Sequence, residues 1–328
     1  MWVYKTIIIP KLTYASVAWA TSLTEQQIQK LTAIQTLAGR LITRCKSSTP
    51  KVLLDALLNL TPIRIKLMET ALIRALSLKA EGHWDYTPNA GIKYQTNQEK
   101  IDETLQKTIK IDPNSKSDRT RPTNNLTKHY TTNITERTNI EVANEYDNLL
   151  VYTDGSKDET GKTGFGIHFD KTTNGDSMTD ISEPMNNHNS VFQAEVTAIS
   201  KAAETLLSGP KINKPIYFYS DSQSAINAFD KEKINSCTVK QCINNLNELG
   251  KTNTVTINWI PGHQGYEGNE IADSLAKNGK ERPIEQNRFS IPHSNLIAKV
   301  KNHYSNMIVT KWHGVPLSTE AKTLTHIL

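Results

Sequence analysis

Residues 149–156 read Leu-Leu-Val-Tyr-Thr-Asp-Gly-Ser. Four apolar or aromatic residues run together and then meet a turn signal. That pattern fits a short buried strand, Leu149–Asp154, with an acid at its end. Downstream of it the chain alternates between the two regular structures. Thr163–Phe169 is a strand studded with glycines, and residues 176–184 form a weaker third one. Ser190–Leu207 has helical periodicity, with Ser190 and Gln193 spaced as a capping box and Gly209-Pro210 closing it. Ile216–Ser220 is a buried strand, and a helix runs from there through Phe229. Val239, Cys242, Ile243, Leu246 and Leu249 mark the next helix, stopped by Gly250. Val255–Ile260 is a strand and Asn269–Lys277 a helix, with Asn269 as the N-cap candidate. Strands with intervening helices make residues 148–281 an α/β domain.

The flanks differ in kind. Residues 84–147 are rich in Thr, Asn and Lys, contain Pro88, Pro113 and Pro122, and show little apolar periodicity beyond a short helix at Glu99–Ile109. They read as a polar linker. Residues 1–83 are helical: Leu23, Ile28, Leu31, Ile34, Leu37, Leu41 and Ile42 recur at three- and four-residue steps after Thr24 and Gln27, a second capping pair. Val52–Leu78 is also helical and is broken at Pro62. Residues 282–328 form a basic tail with a helix at Ser294–Lys311.

Over 328 residues, 37% are hydrophobic and 22% charged, and the mean hydropathy is −0.50. No apolar run approaches the ~18 residues of a membrane span. The start lacks the basic, apolar and small-residue regions of a signal peptide. Cys45, Cys237 and Cys242 are too few and too scattered for a disulfide framework or a zinc site, so an intracellular compartment, cytoplasm or nucleus, is expected. The sequons at Asn125 and Asn133 would then go unused. The net charge of +5 is unevenly spread. Residues 1–83 carry 11 basic and 4 acidic side chains (+7), residues 84–147 carry 9 and 10 (−1), residues 148–281 carry 12 and 17 (−5), and residues 282–328 carry 6 and 2 (+4). Basic flanks point to a polyanionic partner, whereas the acidic centre argues against non-specific binding by that part alone.

Four acids in the α/β region stand out. Asp154 and Asp221 each end a strand, where active sites gather in such sheets, although capping a turn accounts for either one singly. Glu195 has Ala198, Ile199, Ala202 and Leu206 at +3, +4, +7 and +11, so it lies on the apolar stripe of its helix with no Lys or Arg there to pair with it. A buried carboxylate needs a partner or a metal; the other reading is an acid complementing the helix dipole. Asp273 could simply pair with Lys277 at i+4. His263 opens a glycine-rich loop just before this last helix, where a surface histidine is often idle. Together, four carboxylates in one small site would raise one another's pKa unless cations compensate. Oxygen ligands suit Mg²⁺ or Mn²⁺, and two such ions can clamp both oxygens of a phosphodiester displacement. Their +4 would take the domain from −5 to about −1.

Thr153-Asp154-Gly155-Ser156, Gln193-Ala194-Glu195, Ser220-Asp221-Ser222-Gln223, and Gly262-His263-Gln264-Gly265 with Asn269-Glu270-Ile271-Ala272-Asp273 resemble the type I ribonuclease H domain. The four acids are 41, 26 and 52 residues apart, in the family's order. The resemblance covers about 148–281. It implies a mixed five-stranded sheet with flanking helices and hydrolysis of the RNA strand of RNA–DNA hybrids, leaving 3′-hydroxyl and 5′-phosphate ends. By position, Asp154, Glu195, Asp221 and Asp273 would hold two Mg²⁺ ions, and His263 would assist product release or proton transfer. Gly155, Ser156, Gln223 and Asn269 would meet the hybrid, where 2′-hydroxyls distinguish RNA from DNA. No Lys-rich insertion like the basic handle of some members lies between Ala225 and Asn253. The +7 helical segment is the expected source of phosphate contacts instead.

Residues 1–83, through Trp19, Ile34-Gln35 and Pro62, resemble the helical end of a reverse transcriptase from a non-LTR (LINE-type) retrotransposon. The polymerase motif Tyr-x-Asp-Asp is absent, so polymerisation is not expected and the chain reads as a C-terminal piece of such an element or a gene derived from one. The alternative function is a catalytically silent nucleic-acid-binding remnant, against which the intact set of acids and His263 stands. A transposase-like last Glu and a proofreading Asp-x-Glu first strand are both missing.

Overall fold

The computed structural model describes residues 1–84, 96–110, 116–134, 148–170, 178–209, 212, 214–284 and 289–313. The chain divides into two compact units, 1–113 with 294–328, and 114–293.

The first unit is helical. After short turns from Tyr4 come α1 (Ile9–Leu12), α2 (Ser16–Trp19), α3 (Glu25–Thr43), α4 (Lys51–Leu57), α5 (Ile63–Ala80) and α6 (Asn97–Ile109). Thr24 and Gln27 cap α3 reciprocally, and Pro62 sits at the N-cap of α5, where its missing N–H is harmless. Leu54, Leu67, Leu72, Ile101 and Leu105 are buried here. So are Leu296, Val300 and Tyr304 of the last helix, α11 (His293–His313), which belongs to this unit from Ser294 onward. The helical period in α3 is real, yet Leu37 is 58% and Leu41 72% exposed while Gln35, Thr36 and Gly39 are buried.

Among the described residues the second unit holds eight strands: β1 (Arg119–Asn124), β2 (Thr131–Asn133), β3 (Leu149–Lys157), β4 (Thr163–Phe169), β5 (Ile181–Met185), β6 (Ile216–Ser220), β7 (Lys233–Ser236) and β8 (Val255–Trp259). Its helices are α7 (Val191–Ser208), α8 (Gln223–Phe229), α9 (Cys237–Gly250) and α10 (Glu267–Gly279). Six strands form one mixed sheet in the order β2-β8-β6-β3-β4-β5, and β1 pairs with β7 apart from it. The sheet therefore has six strands where five were expected. The sixth is β2, parallel to β8 at the edge, through Thr131↔Thr256 and Asn133↔Asn258. It comes from the stretch read as linker, because a polar three-residue edge strand has no apolar alternation to reveal it. The described parts of that stretch also hold α6 and β1; 85–95, 111–115 and 135–147 lie outside the described residues, as do Pro210 and 314–328.

Strand alternation divides the core between the two faces of the sheet. Val151, Phe165, Ile167, Phe218 and Ile257 pack with Ala198, Ile199 and Leu206 of α7 and with Cys242 and Leu246 of α9. On the other face Leu150, Tyr152 and Tyr219 pack with Ala272 of α10. That helix lies directly on β4: a Cβ on Gly166 would collide with the Ala272 carbonyl and the Ala276 amide. Only glycine lets helix and strand backbones approach this closely.

Candidate active site

Asp154 does not end its strand, as the sequence suggested. β3 continues to Lys157 because β4 keeps pairing with it, Asp154 opposite Gly166 and Lys157 opposite Thr163. The parallel ladder to β6 stops one residue earlier, at Thr153↔Ser220. Asp154 thus sits where one neighbour drops away, and Asp221 is the first residue beyond that neighbour. The Trp259 indole donates to the Asp221 carbonyl at 2.9 Å and fixes the chain at this point.

Glu195 arrives from the second turn of α7, two residues beyond Gln193. Ser190 accepts from the Gln193 amide at 3.2 Å while the Gln193 side chain returns to the Ser190 N–H, so the capping box sets where this turn begins. Gly155 lets the turn come close, since a Cβ there would stand 2.6 Å from the Glu195 amide nitrogen. Carboxylate oxygens of Asp154, Glu195 and Asp221 all fall within 4.8 Å of one another. Asp154 and Glu195 are 7% and 4% exposed, and Asp221 is half-buried.

A second group forms beside the first. His263, Glu270 and Asp273 each offer a ligand atom within 4.8 Å of the others. His263 lies on the exposed loop with a left-handed backbone (φ 54°). Asp273 also takes the expected i+4 bridge from Lys277 at 2.6 Å. Its charge nevertheless bears on Asp154 and Asp221, so the two groups share one electrostatic environment. Glu270 received no role from the sequence; its signal was the three-residue step to Asp273, which places both on one helix face.

The electrostatics record the crowding. Burial, then Asp221 and Asp273, push Asp154 up to about 7. Burial, then Asp154 and Asp221, hold Glu195 well above the ordinary carboxylate range, with the Gly155 amide and Ser220 hydroxyl pulling the other way. Burial also raises Asp221, opposed by the charge of His263. The Glu195 Oε2 has no hydrogen-bond partner. These features fit a divalent cation. An octahedral Mg²⁺ at ~2.1 Å from its ligands spaces the donors about 3–4 Å apart, within the bound seen here, and hard oxygens are its preferred donors.

The remaining predicted residues flank this centre. Gly155 and Ser156 continue β3. Gln223 opens α8 and is exposed. Asn269 is not the N-cap of α10: the helix begins at Glu267, Tyr266 occupies the cap without a side-chain bond, and Asn269 is buried in the first turn with its Oδ1 unpartnered. The helix starts early because the Asn269 and Glu270 amides both turn back to the Tyr266 carbonyl, at 3.0 Å each.

Residues 146–281 match the family model described as RNase H. Among solved structures the chain is similar to RNase H1 from the halophilic archaeon Halobacterium salinarum NRC-1, at 20% identity, covering 40% of this chain and 96% of that one with a TM-score of 0.32. A comparison with curated proteins gave no match. The matched residues span strands β3–β6 and β8 of the mixed sheet and the helices α7–α10 that flank it.

Proposed function

We propose that this domain hydrolyses the RNA strand of RNA–DNA hybrids in a reaction dependent on Mg²⁺. The observation that carries the reading is the convergence of Asp154, Glu195 and Asp221 within 4.8 Å, two of them buried, beside Asp273. These four residues would hold two ions, which supply charge neutralisation and an activated water when bound. Gly155 lets Glu195 approach β3 closely, and Lys277 pairs with Asp273 at 2.6 Å. His263, on the open side, holds or delivers a proton to the departing oxygen. Ser156 and the exposed Gln223 would contact the hybrid, while Asn269, buried in the first turn of α10, would act from beneath that surface. A 5′-labelled hybrid incubated with full-length protein should be cut internally with Mg²⁺ and left intact with EDTA. An uncut hybrid at saturating Mg²⁺ would leave the silent-remnant reading in its place.

We also assign residues 1–83 to the helical end of a LINE-type reverse transcriptase. The assignment rests on the resemblance at Trp19, Ile34-Gln35 and Pro62; of these, Gln35 is buried and donates to Asp55 at 2.7 Å and to the Thr61 carbonyl at 3.2 Å, which ties α3 to the turn before Pro62.

A further inference from the structure

The strand pair β1–β7 lies outside the main sheet, and half of it comes from upstream of the RNase H match. Arg119 pairs with Ser236, Thr123 with Ile234 and Asn124 with Lys233. Ile234 is buried in the main core and anchors the ribbon. A second anchor is Asp118. Its carboxylate accepts from the Ser236 hydroxyl (2.7 Å), the Thr238 amide (2.9 Å) and hydroxyl (2.6 Å) and the Ser290 hydroxyl (3.0 Å). At the far end, the Asn125 amide donates to the Glu232 carbonyl at 2.8 Å, and its side chain to the Phe229 carbonyl at 2.9 Å. The ribbon is fixed at both ends and in the middle.

Its charge is opposite to that of the domain. Residues 116–128 and 230–240 bring together seven basic side chains and three acidic ones, within a domain whose residues 148–281 carry −5. Two of the three acids are committed: Asp118 is buried in the bonds above, and Asp230 accepts from Lys128 and Thr132 at 2.7 Å each. Glu232 is exposed. Lys116, Arg121, Lys231 and Lys233 are exposed too. Position completes the argument. α8 starts two residues after Asp221 and spans about 10 Å at 1.5 Å per residue. β7 begins four residues after α8 ends, so one short helix joins the ribbon to the strand end that carries Asp221.

We propose that β1 and β7 form a preassembled phosphate-binding ribbon, with Arg121, Lys231 and Lys233 on the backbone of the nucleic-acid duplex cut at the carboxylate site. This rests on the nuclease reading for the identity of the duplex. It supplies from an upstream strand the cations that the region Ala225–Asn253 lacks as a lysine-rich insertion.

The test is binding of a fluorescent RNA–DNA hybrid by full-length protein across a potassium chloride series. The comparison is Arg121→Ala/Lys231→Ala/Lys233→Ala against Arg121→Lys/Lys231→Arg/Lys233→Arg, all in an Asp154→Asn background so that nothing is cleaved. The alanine variant should lower the slope of log affinity against log salt by roughly one per cation removed and weaken binding on the order of tenfold. The charge-preserving variant should keep the parent slope, and equal melting curves confirm that all three are folded. Identical slopes and affinities for the alanine variant and its parent would overturn the ribbon, as would a parent that does not bind. If the alanine variant loses slope while otherwise unmodified protein never cuts the hybrid, the ribbon stands and the nuclease reading falls.

Discussion

At Asp154 the fold holds a carboxylate where burial and two neighbouring acids disfavour its charge. The linkage has a definite sign. Its pKa of about 7 in the folded chain exceeds the ordinary 3.8, so between those values the folded state keeps a proton that the unfolded state has released. Stability of the metal-free protein therefore falls as pH rises from about 4 to 7, by at most about 4 kcal/mol from this residue, and Glu195 acts in the same direction. Guanidinium unfolding in EDTA should give lower stability at pH 8 than at pH 5. Asp154→Asn should lessen that difference, stabilise the metal-free protein at pH 8 and abolish hybrid cleavage with the circular-dichroism spectrum unchanged. Unaltered Mg²⁺-dependent hydrolysis by Asp154→Asn would remove that residue from the catalytic set.

Elements place these side chains through their ends and their closest approaches. Ser190→Ala removes the α7 cap and should cost about 1 kcal/mol of unfolding free energy, with an accompanying loss of kcat because Glu195 stands only five residues beyond the cap. The glycine at 166 has a larger task, since α10 carries both Asp273 and Glu270 while resting on β4. Gly166→Ala must lift that helix, and should lower stability by about 1–3 kcal/mol and depress kcat/KM as well. Thermal melts with parallel cleavage rates separate the two effects. Full activity in a destabilised Gly166→Ala protein would mean that α10 can shift without moving Asp273. The exposed side chains of Leu37 and Leu41 show the converse for α3: a clean helical period does not say which side of the helix will find a neighbour.

Across the molecule the charge is uneven, −5 over residues 148–281 and +7 over residues 1–83. A domain of −5 must gather cations before it can meet a polyanion, so Mg²⁺ binding should stabilise the folded chain by about 2.7 kcal/mol at a hundredfold excess over Kd. The Tm should rise with Mg²⁺ in the parent protein and much less in Glu195→Gln; equal shifts in both would put the ion elsewhere. Phosphate contacts now have two candidate sources, the +7 segment 1–83 and the β1–β7 ribbon. Alanine variants of exposed Lys5, Lys30 and Lys46, compared with the ribbon variant, apportion the salt slope between them.

Regular elements were readable along the chain because they depend on local rules. Capping boxes at Thr24 and Ser190, the strand Ile216–Ser220 and the helix ending at Phe229 are dictated by residues a few positions apart. Glu195 stood out because a charge on an apolar stripe is anomalous wherever the helix packs. Tertiary pairing decided the rest. β1 and β2 are polar and short, and become strands only because β7 and β8 offer free edges more than 100 residues later. Asp154 lies inside its strand because β4 continues past the point where β6 stops, and Glu270 joined the site because α10 rests on β4 through Gly166. Hydrogen bonds between distant segments leave no periodic trace in sequence, whereas the burial of side chains within one helix or strand does.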